Sequence, residues 1–178
     1  MEELRDTPGQ VIVFTGNGKG KTSAALGVAI RALGHSLRVY FTFFMKGDFP
    51  YGEQQSLAHL PDMTLGRFGF VEFCDPNNVK PEEKEEAQRA LGAARQAMHS
   101  GDYDVVVLDE VNVAASWGLV TVGQVVETIR AKPEAVDLIL TGRYADDKVL
   151  ALADTVTEMV EVKHPLRKGV LSRKGIDY

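Results

Sequence analysis

Apolar residues in this chain fall into short β-branched or aromatic blocks, separated by longer stretches whose apolar positions recur at helical spacing. The first block is Val11-Ile12-Val13-Phe14, and it runs into Thr15-Gly16-Asn17-Gly18-Lys19-Gly20-Lys21-Thr22-Ser23. So short a β-branched run predicts a buried strand, and the pattern after Gly20 predicts a helix. From Ser23 to Leu33 the apolar residues Ala24, Ala25, Leu26, Val28, Ala29 and Ile30 describe a mostly apolar helix, which Gly34 is suited to end in a left-handed conformation. Ser36 to Phe44 reads as a second strand and Met45 to Pro50 as a turn-rich loop. Strand, helix and strand make a βαβ unit.

Further along, Glu53 to Leu60 predicts a short helix and Met63 to Phe68 a short strand. Gly69 to Asn78 is irregular and rich in aromatics; Phe70, Val71 and Phe73 there either cover the core or form a functional loop. Pro81 to Ser100 opens with proline and a run of glutamates, as a helix start does, and those acids read as helix chemistry on a solvated face. Asp102 to Glu110 is a strand with four apolar residues ahead of two acids. Thr121 to Ala131 predicts an amphipathic helix, Ala135 to Leu140 a buried strand, Asp147 to Leu152 a short helix, and Ala153 to Val162 a half-exposed strand. Alternating strands and helices predict an α/β chain: a three-layer fold with a mostly parallel central sheet, as in P-loop NTPases. Residues 1–178 are expected to form one domain.

The chemistry concentrates where strands end. A helix that starts after a glycine-rich turn aims free N–H groups at the turn and makes an anion site. Gly16, Gly18 and Gly20 let the backbone curl around phosphate oxygens, Lys21 offers an ammonium, and the Thr22 hydroxyl is placed to ligate Mg²⁺. Thr15 stands where the usual phosphate-loop spacing has glycine, so the pattern is shifted. Asp109 and Glu110 end a buried strand on the edge where open α/β sheets gather ligands, and Mg²⁺ requires such carboxylates or the waters they hold. Arg143, at another strand end, either clamps phosphate or pairs with Asp146 or Asp147 on the surface.

Composition narrows the field. A net charge of −5 argues against broad nucleic-acid or anionic-membrane binding. The single cysteine, Cys74, excludes an internal disulfide and a multi-cysteine zinc site, and His35, His59, His99 and His164 lack metal-ligand spacing. With a polar start lacking a secretory signal and no apolar run near the ~20 residues of a membrane span, a soluble, cytoplasmic chain is expected. The one basic patch lies in Lys163 to Tyr178, which is either solvated or folded over a bound nucleotide.

The stretch from Thr15 to Ala25, then Arg31 to His35, Met45-Lys46-Gly47, Gly52-Glu53, Val107 to Glu110, Thr141-Gly142-Arg143, Ala153-Asp154 and the closing Lys174-Gly175-Ile176-Asp177-Tyr178 resemble the ATP:corrinoid adenosyltransferases of the CobA/CobO/BtuR type. The resemblance covers nearly the whole chain, and the shifted loop is that family's form. It implies transfer of the 5′-deoxyadenosyl group of ATP to the Co(I) of a reduced corrinoid, in cobalamin biosynthesis or salvage, with release of triphosphate. Because Co(I) is itself the nucleophile, no side chain need be activated.

By position, the resemblance implies that Gly16 to Ser23 cradle the triphosphate, with Asn17, Lys19 and Lys21 on its phosphates and reversed polarity, so that C5′ faces the attacking metal. The resemblance also implies that Lys21, with Arg143, stabilises the leaving group, that Thr22 and Glu110 hold Mg²⁺, and that Asp109 supports them; Arg31, Lys46, Glu53 and Arg143 carry weaker implications. Phe70 and Phe73 are implied on the corrin side, although this chain has Gly69-Phe70-Val71-Glu72-Phe73 where many relatives carry Gly-Phe-Thr-Trp. A reductase that supplies Co(I) and a homodimer are also implied. The competing readings are a P-loop ATP phosphohydrolase or kinase and a non-catalytic nucleotide- or corrinoid-binding module.

Overall fold

The computed structural model describes residues 7–47 and 49–178. Its elements are β1 (Val11–Thr15), α1 (Lys21–Leu33), β2 (Val39–Phe43), α2 (Gly52–Leu57), β3 (Met63–Arg67), α3 (Pro81–Ser100), β4 (Val105–Asp109), α4 (Val111–Ser116), α5 (Val122–Arg130), β5 (Asp137–Thr141), α6 (Asp147–Leu150) and β6 (Thr155–Glu158), with a 3-10 turn at Pro165–Lys168. The strands form one sheet in the order β3-β2-β4-β5-β1-β6, and every pairing is parallel.

Alternation along the buried β4 shows how the layers arise. Val106 and Leu108 join Ala90, Leu91 and Ala94 of α3 and Val125 and Ile129 of α5 on one face, whereas Val105 and Val107 join Ala25, Ala29 and Ala32 of α1 on the other. Both faces are covered, so a parallel strand here reads as a continuous apolar run. The small side chains of α1 let its backbone lie close to the sheet beside Phe41 and Phe43.

Helix α1 begins at Lys21, directly after Gly20 at φ 110°, as the pattern after Gly20 predicts. Three other details differ from the sequence reading. Gly34 is right-handed at φ −62°, and the left-handed reversal falls at Ser36 (φ 59°), because the helix tightens through another turn before the Leu37 N–H returns to the Ala32 carbonyl at 3.1 Å. Strand β6 spans only Thr155–Glu158, an exposed edge, since the chain then bends away beneath the glycine-rich turn. Helix α4 was not legible in the sequence: Val111 and Val113 are poor helix formers, and burial of Val111, Asn112, Val113 and Ala114 overrides that preference. No helix among the described residues is long and apolar enough to cross a membrane.

Strand β5 lies between β1 and β4 and pairs with both. The glycine-rich turn after β1 and the acids at the end of β4 are therefore one strand apart, on the C-terminal edge of the sheet where α/β folds bind ligands.

Candidate active site

The turn after β1 is pressed against the chain that leaves β6. A Cβ on Gly16 would lie 2.6 Å from the Met159 carbonyl oxygen and one on Gly18 2.7 Å from it, and the Gly18 N–H donates to that same oxygen at 2.6 Å. These glycines are thus required by the protein behind the loop as well as by any ligand before it. The buried Lys21 ammonium donates to the carbonyls of Gly16 (2.8 Å) and Gly18 (2.6 Å), and burial lowers its pKa. Lys19 instead forms an ion pair with Asp177, whose carboxylate also accepts from the Arg173 backbone N–H at 2.8 Å.

A second network joins the ends of β2, β4 and β5. Asp109 is fully buried and accepts hydrogen bonds from Lys46 Nζ (2.7 Å) and Thr141 Oγ1 (2.7 Å); the Thr141 hydroxyl accepts in turn from the Glu110 N–H at 2.9 Å. Lys46 also donates to Thr22 Oγ1 at 3.4 Å, which ties this network to the loop. Burial works against the Lys46 charge, but Asp109 and Glu110 more than offset it and raise its pKa. Burial, with the neighbouring Asp109 charge, raises Glu110 towards its neutral form. A divalent cation would reverse that push by stabilising the ionised carboxylate.

Among the described residues no cluster of three or more His, Cys, Asp or Glu side chains could hold a metal. A metal here would have to take one hydroxyl, from Thr22, one carboxylate, from Glu110, and further oxygens from phosphate and water. That sparse, all-oxygen set fits Mg²⁺, which keeps several waters and binds through one or two carboxylates and substrate phosphates.

These groups border one cavity of about 480 Å³, whose lining includes Gly18 to Ser23, Lys46, Tyr51, Phe73, Cys74, Glu110 and Arg143. Asn17 is exposed at the turn and lies outside the lining; the partly buried Gly16 is outside it too. Arg143 makes no ion pair among the described residues, so the alternative of a pair with Asp146 or Asp147 is not realised. Phe73 is 80% exposed on the cavity, whereas Phe70 borders a smaller hollow with Glu72, Glu83 and Glu86. Arg31 and Glu53 stand outside both. The closing segment does reach the site, through Ile176 and the acid Asp177, while Lys163, Lys168 and Lys174 remain exposed. Tyr178 joins an aromatic group in which Phe49 lies 4.7 Å from Tyr51, 5.4 Å from Tyr178 and 6.2 Å from Phe73, centroid to centroid.

Val113, Trp117 and Tyr144 also line the cavity and were missed from sequence. The first two depend on the unforeseen α4; Tyr144 had a signal, its place directly after Arg143.

A profile of the family described as ATP:corrinoid adenosyltransferase BtuR/CobO/CobP matches residues 7–178. The chain belongs to that family. It is 36% identical over 179 residues to the corrinoid adenosyltransferase of Escherichia coli K12, which covers 100% of this chain and 90% of the relative. It is 34% identical over 178 residues to that of Pseudomonas aeruginosa (100% and 88%). To the corrinoid adenosyltransferase CobA of Salmonella typhimurium it is 35% identical over 183 residues (100% and 90%). The protein is accordingly an enzyme, a transferase acting on corrinoids.

Within this adenosyltransferase Cys74 is ill suited to nucleophilic work. Burial and the neighbouring Glu83 carboxylate push its thiol up to about 11 from an ordinary 9.0. Alkylation by iodoacetamide at pH 8 is expected to run about 100-fold slower than for an unperturbed cysteine, and to accelerate as pH rises towards 11. An acid whose pKa is raised on folding stabilises the native state only while protonated. Cys74 therefore contributes a loss of stability between pH 9.0 and about 11, which thermal melts of wild type and Cys74→Ala across that range would measure.

Proposed function

We propose that the enzyme transfers the 5′-deoxyadenosyl group of Mg·ATP to the Co(I) centre of a reduced corrinoid and releases triphosphate, with residues 1–178 acting as one domain. The observation that carries this reading is a single cavity bordered by a phosphate-type loop, the cations Lys21 and Arg143, an acid-ended strand and the exposed ring of Phe73. In the reaction the cobalt electron pair attacks C5′, a Co–C bond forms, the C5′–O bond breaks, and its electrons leave with triphosphate. Cobalt is thereby oxidised from Co(I) to Co(III).

The protein's share is positioning and electrostatics. The Lys21 ammonium leaves the Gly16 and Gly18 carbonyls for phosphate oxygens, and Lys19 and Arg143 meet the charge that develops on the leaving group. Mg²⁺, when bound, neutralises triphosphate charge as a Lewis acid. Thr22 and Glu110 would hold it, and the Thr141–Asp109–Lys46 network keeps both in place. Phe73 and Phe70 offer apolar cover to the corrin. A reductase that delivers Co(I), a homodimer and a cytoplasmic location complete the reading.

To test it, the protein is incubated anaerobically with Mg·ATP and a chemically reduced corrinoid, the corrinoid spectrum is followed, and the phosphate product is identified. Adenosylcorrinoid and triphosphate in equal amounts are expected. Orthophosphate without adenosylcorrinoid would sink the proposal in favour of a phosphohydrolase, and binding of both substrates without turnover would favour a carrier.

A further inference from the structure

Among the described residues five outside glycine adopt a left-handed backbone, namely Ser36, Met45, Asp62, Glu110 and Tyr144, and three of these, Met45, Glu110 and Tyr144, line the cavity. Residues held in such conformations collect at functional sites, where the surrounding structure imposes them. Ser36 and Asp62 are short polar residues in turns, where left-handed backbone costs little. Glu110 has its N–H fixed by Thr141, and Met45 lies against Gly69, on which a Cβ would come within 2.8 Å of the Met45 Cα.

Tyr144 has no comparable account. It is a bulky residue at φ 62° and 59% exposed, and among the described residues its side chain makes no ring contact or hydrogen bond. Its loop is pinned to β1 at both ends, by the Gly142 N–H on the Phe14 carbonyl (3.1 Å) and the Ala145 N–H on Thr15 Oγ1 (3.4 Å). That pinning sets an aromatic ring at the cavity, next in sequence to the Arg143 guanidinium. The half-buried indole of Trp117, at the end of α4, borders the same cavity.

A ligand suited to this lining carries a polyanion for Lys21 and Arg143 and a flat aromatic group for Tyr144 and Trp117. We infer that Tyr144 and Trp117 form the base-binding subsite, stacking on the adenine of the nucleotide whose phosphates occupy the loop. This rests on the reading of the loop as an ATP site and assigns the residues that distinguish ATP from its phosphates. Stacking is tolerant of base identity but strongest for large rings, so a purine is favoured over a pyrimidine.

Trp117 is the only tryptophan in the chain, so intrinsic fluorescence reports on this subsite directly. Mg·ATP, Mg·CTP and inorganic triphosphate are titrated into the full chain. ATP is expected to quench the emission and CTP to bind more weakly, while triphosphate competes with ATP without the same quench. Tyr144→Ala is expected to weaken ATP about tenfold and to leave triphosphate affinity unchanged, and Tyr144→Phe to retain ATP affinity. Tyr144→Gly relieves the left-handed backbone, so it should melt no lower than wild type while losing ATP affinity like the alanine variant. Equal weakening of ATP and triphosphate, or an unchanged ATP affinity with a raised KM for corrinoid, would overturn the subsite and leave the proposed reaction standing. No binding of either ATP or triphosphate to the wild-type chain would overturn both.

Discussion

Lys21→Ala is expected to lower kcat by about 10²- to 10³-fold while the protein folds normally. The magnitude is that of removing one pre-aligned charge stabiliser from a transition state. Lys21 is 7% exposed and held over the Gly16 and Gly18 carbonyls, so its ammonium meets an arriving phosphate without a search through rotamers. In the proposed reaction triphosphate gains charge as the C5′–O bond breaks, so the loss should fall on kcat more than on the KM for ATP. The fold should tolerate the change because the side chain bonds only to its own loop, and the carbonyls it leaves can take water. Steady-state kinetics with a circular dichroism melt would check this. Wild-type turnover would remove Lys21 from the mechanism, and a collapsed melt would make it a structural residue.

The largest effect on stability is expected at Lys46. Replacing it with methionine leaves the fully buried Asp109 carboxylate with Thr141 as its one remaining side-chain donor. Breaking a buried pair from one side costs about 3–5 kcal/mol, which in a chain of this length lowers Tm by roughly 6–20 °C. The double variant Lys46→Met/Asp109→Asn should recover much of that loss, because the uncompensated charge goes with the carboxylate. Urea unfolding of both single variants and the double variant closes the cycle; additive losses would show that the pair does not act as a unit. The pH dependence has a definite sign. A lysine whose pKa is raised on folding contributes in full below its ordinary value of 10.5, so the difference between wild type and Lys46→Met should stay constant from pH 6 to 9.

Sequence reading was most secure where a short pattern has one physical outcome. Val11 to Phe14 followed by Gly16 to Thr22 could be read as strand, loop and helix because β-branched residues, glycines and a Gly-Lys-Thr each restrict the backbone differently. Pro81 to Ser100 matched its helix end to end, with proline and the early glutamates marking the start; in the structure the left-handed Gly101 (φ 79°) closes it. Thr15, an irregularity in the motif, has a use visible only in three dimensions, where its hydroxyl accepts from Ala145 and steadies the Arg143 loop.

What stayed hidden was whatever depended on two distant segments meeting. The Lys46–Asp109–Thr141 network joins three strand ends, and nothing local to Lys46 says which carboxylate it will find. Trp117 reached the cavity through a helix its own sequence disfavours, and Asp177 was obscured by the cations around it.

The placement of β5 has a consequence for how the protein is made. Strand β1 and the glycine-rich loop after it are synthesised early, yet both of its sheet neighbours, β5 and β6, come much later in the chain. Pairings so remote in sequence are slow to close and late to be rewarded. A nascent chain halted before Asp137 would carry the loop and the acid pair Asp109-Glu110 but not the strand that spaces them. If the loop holds ATP as proposed, tight nucleotide binding should therefore appear only with the last folding step, so that ATP would report on folded chains and draw the final strands into place.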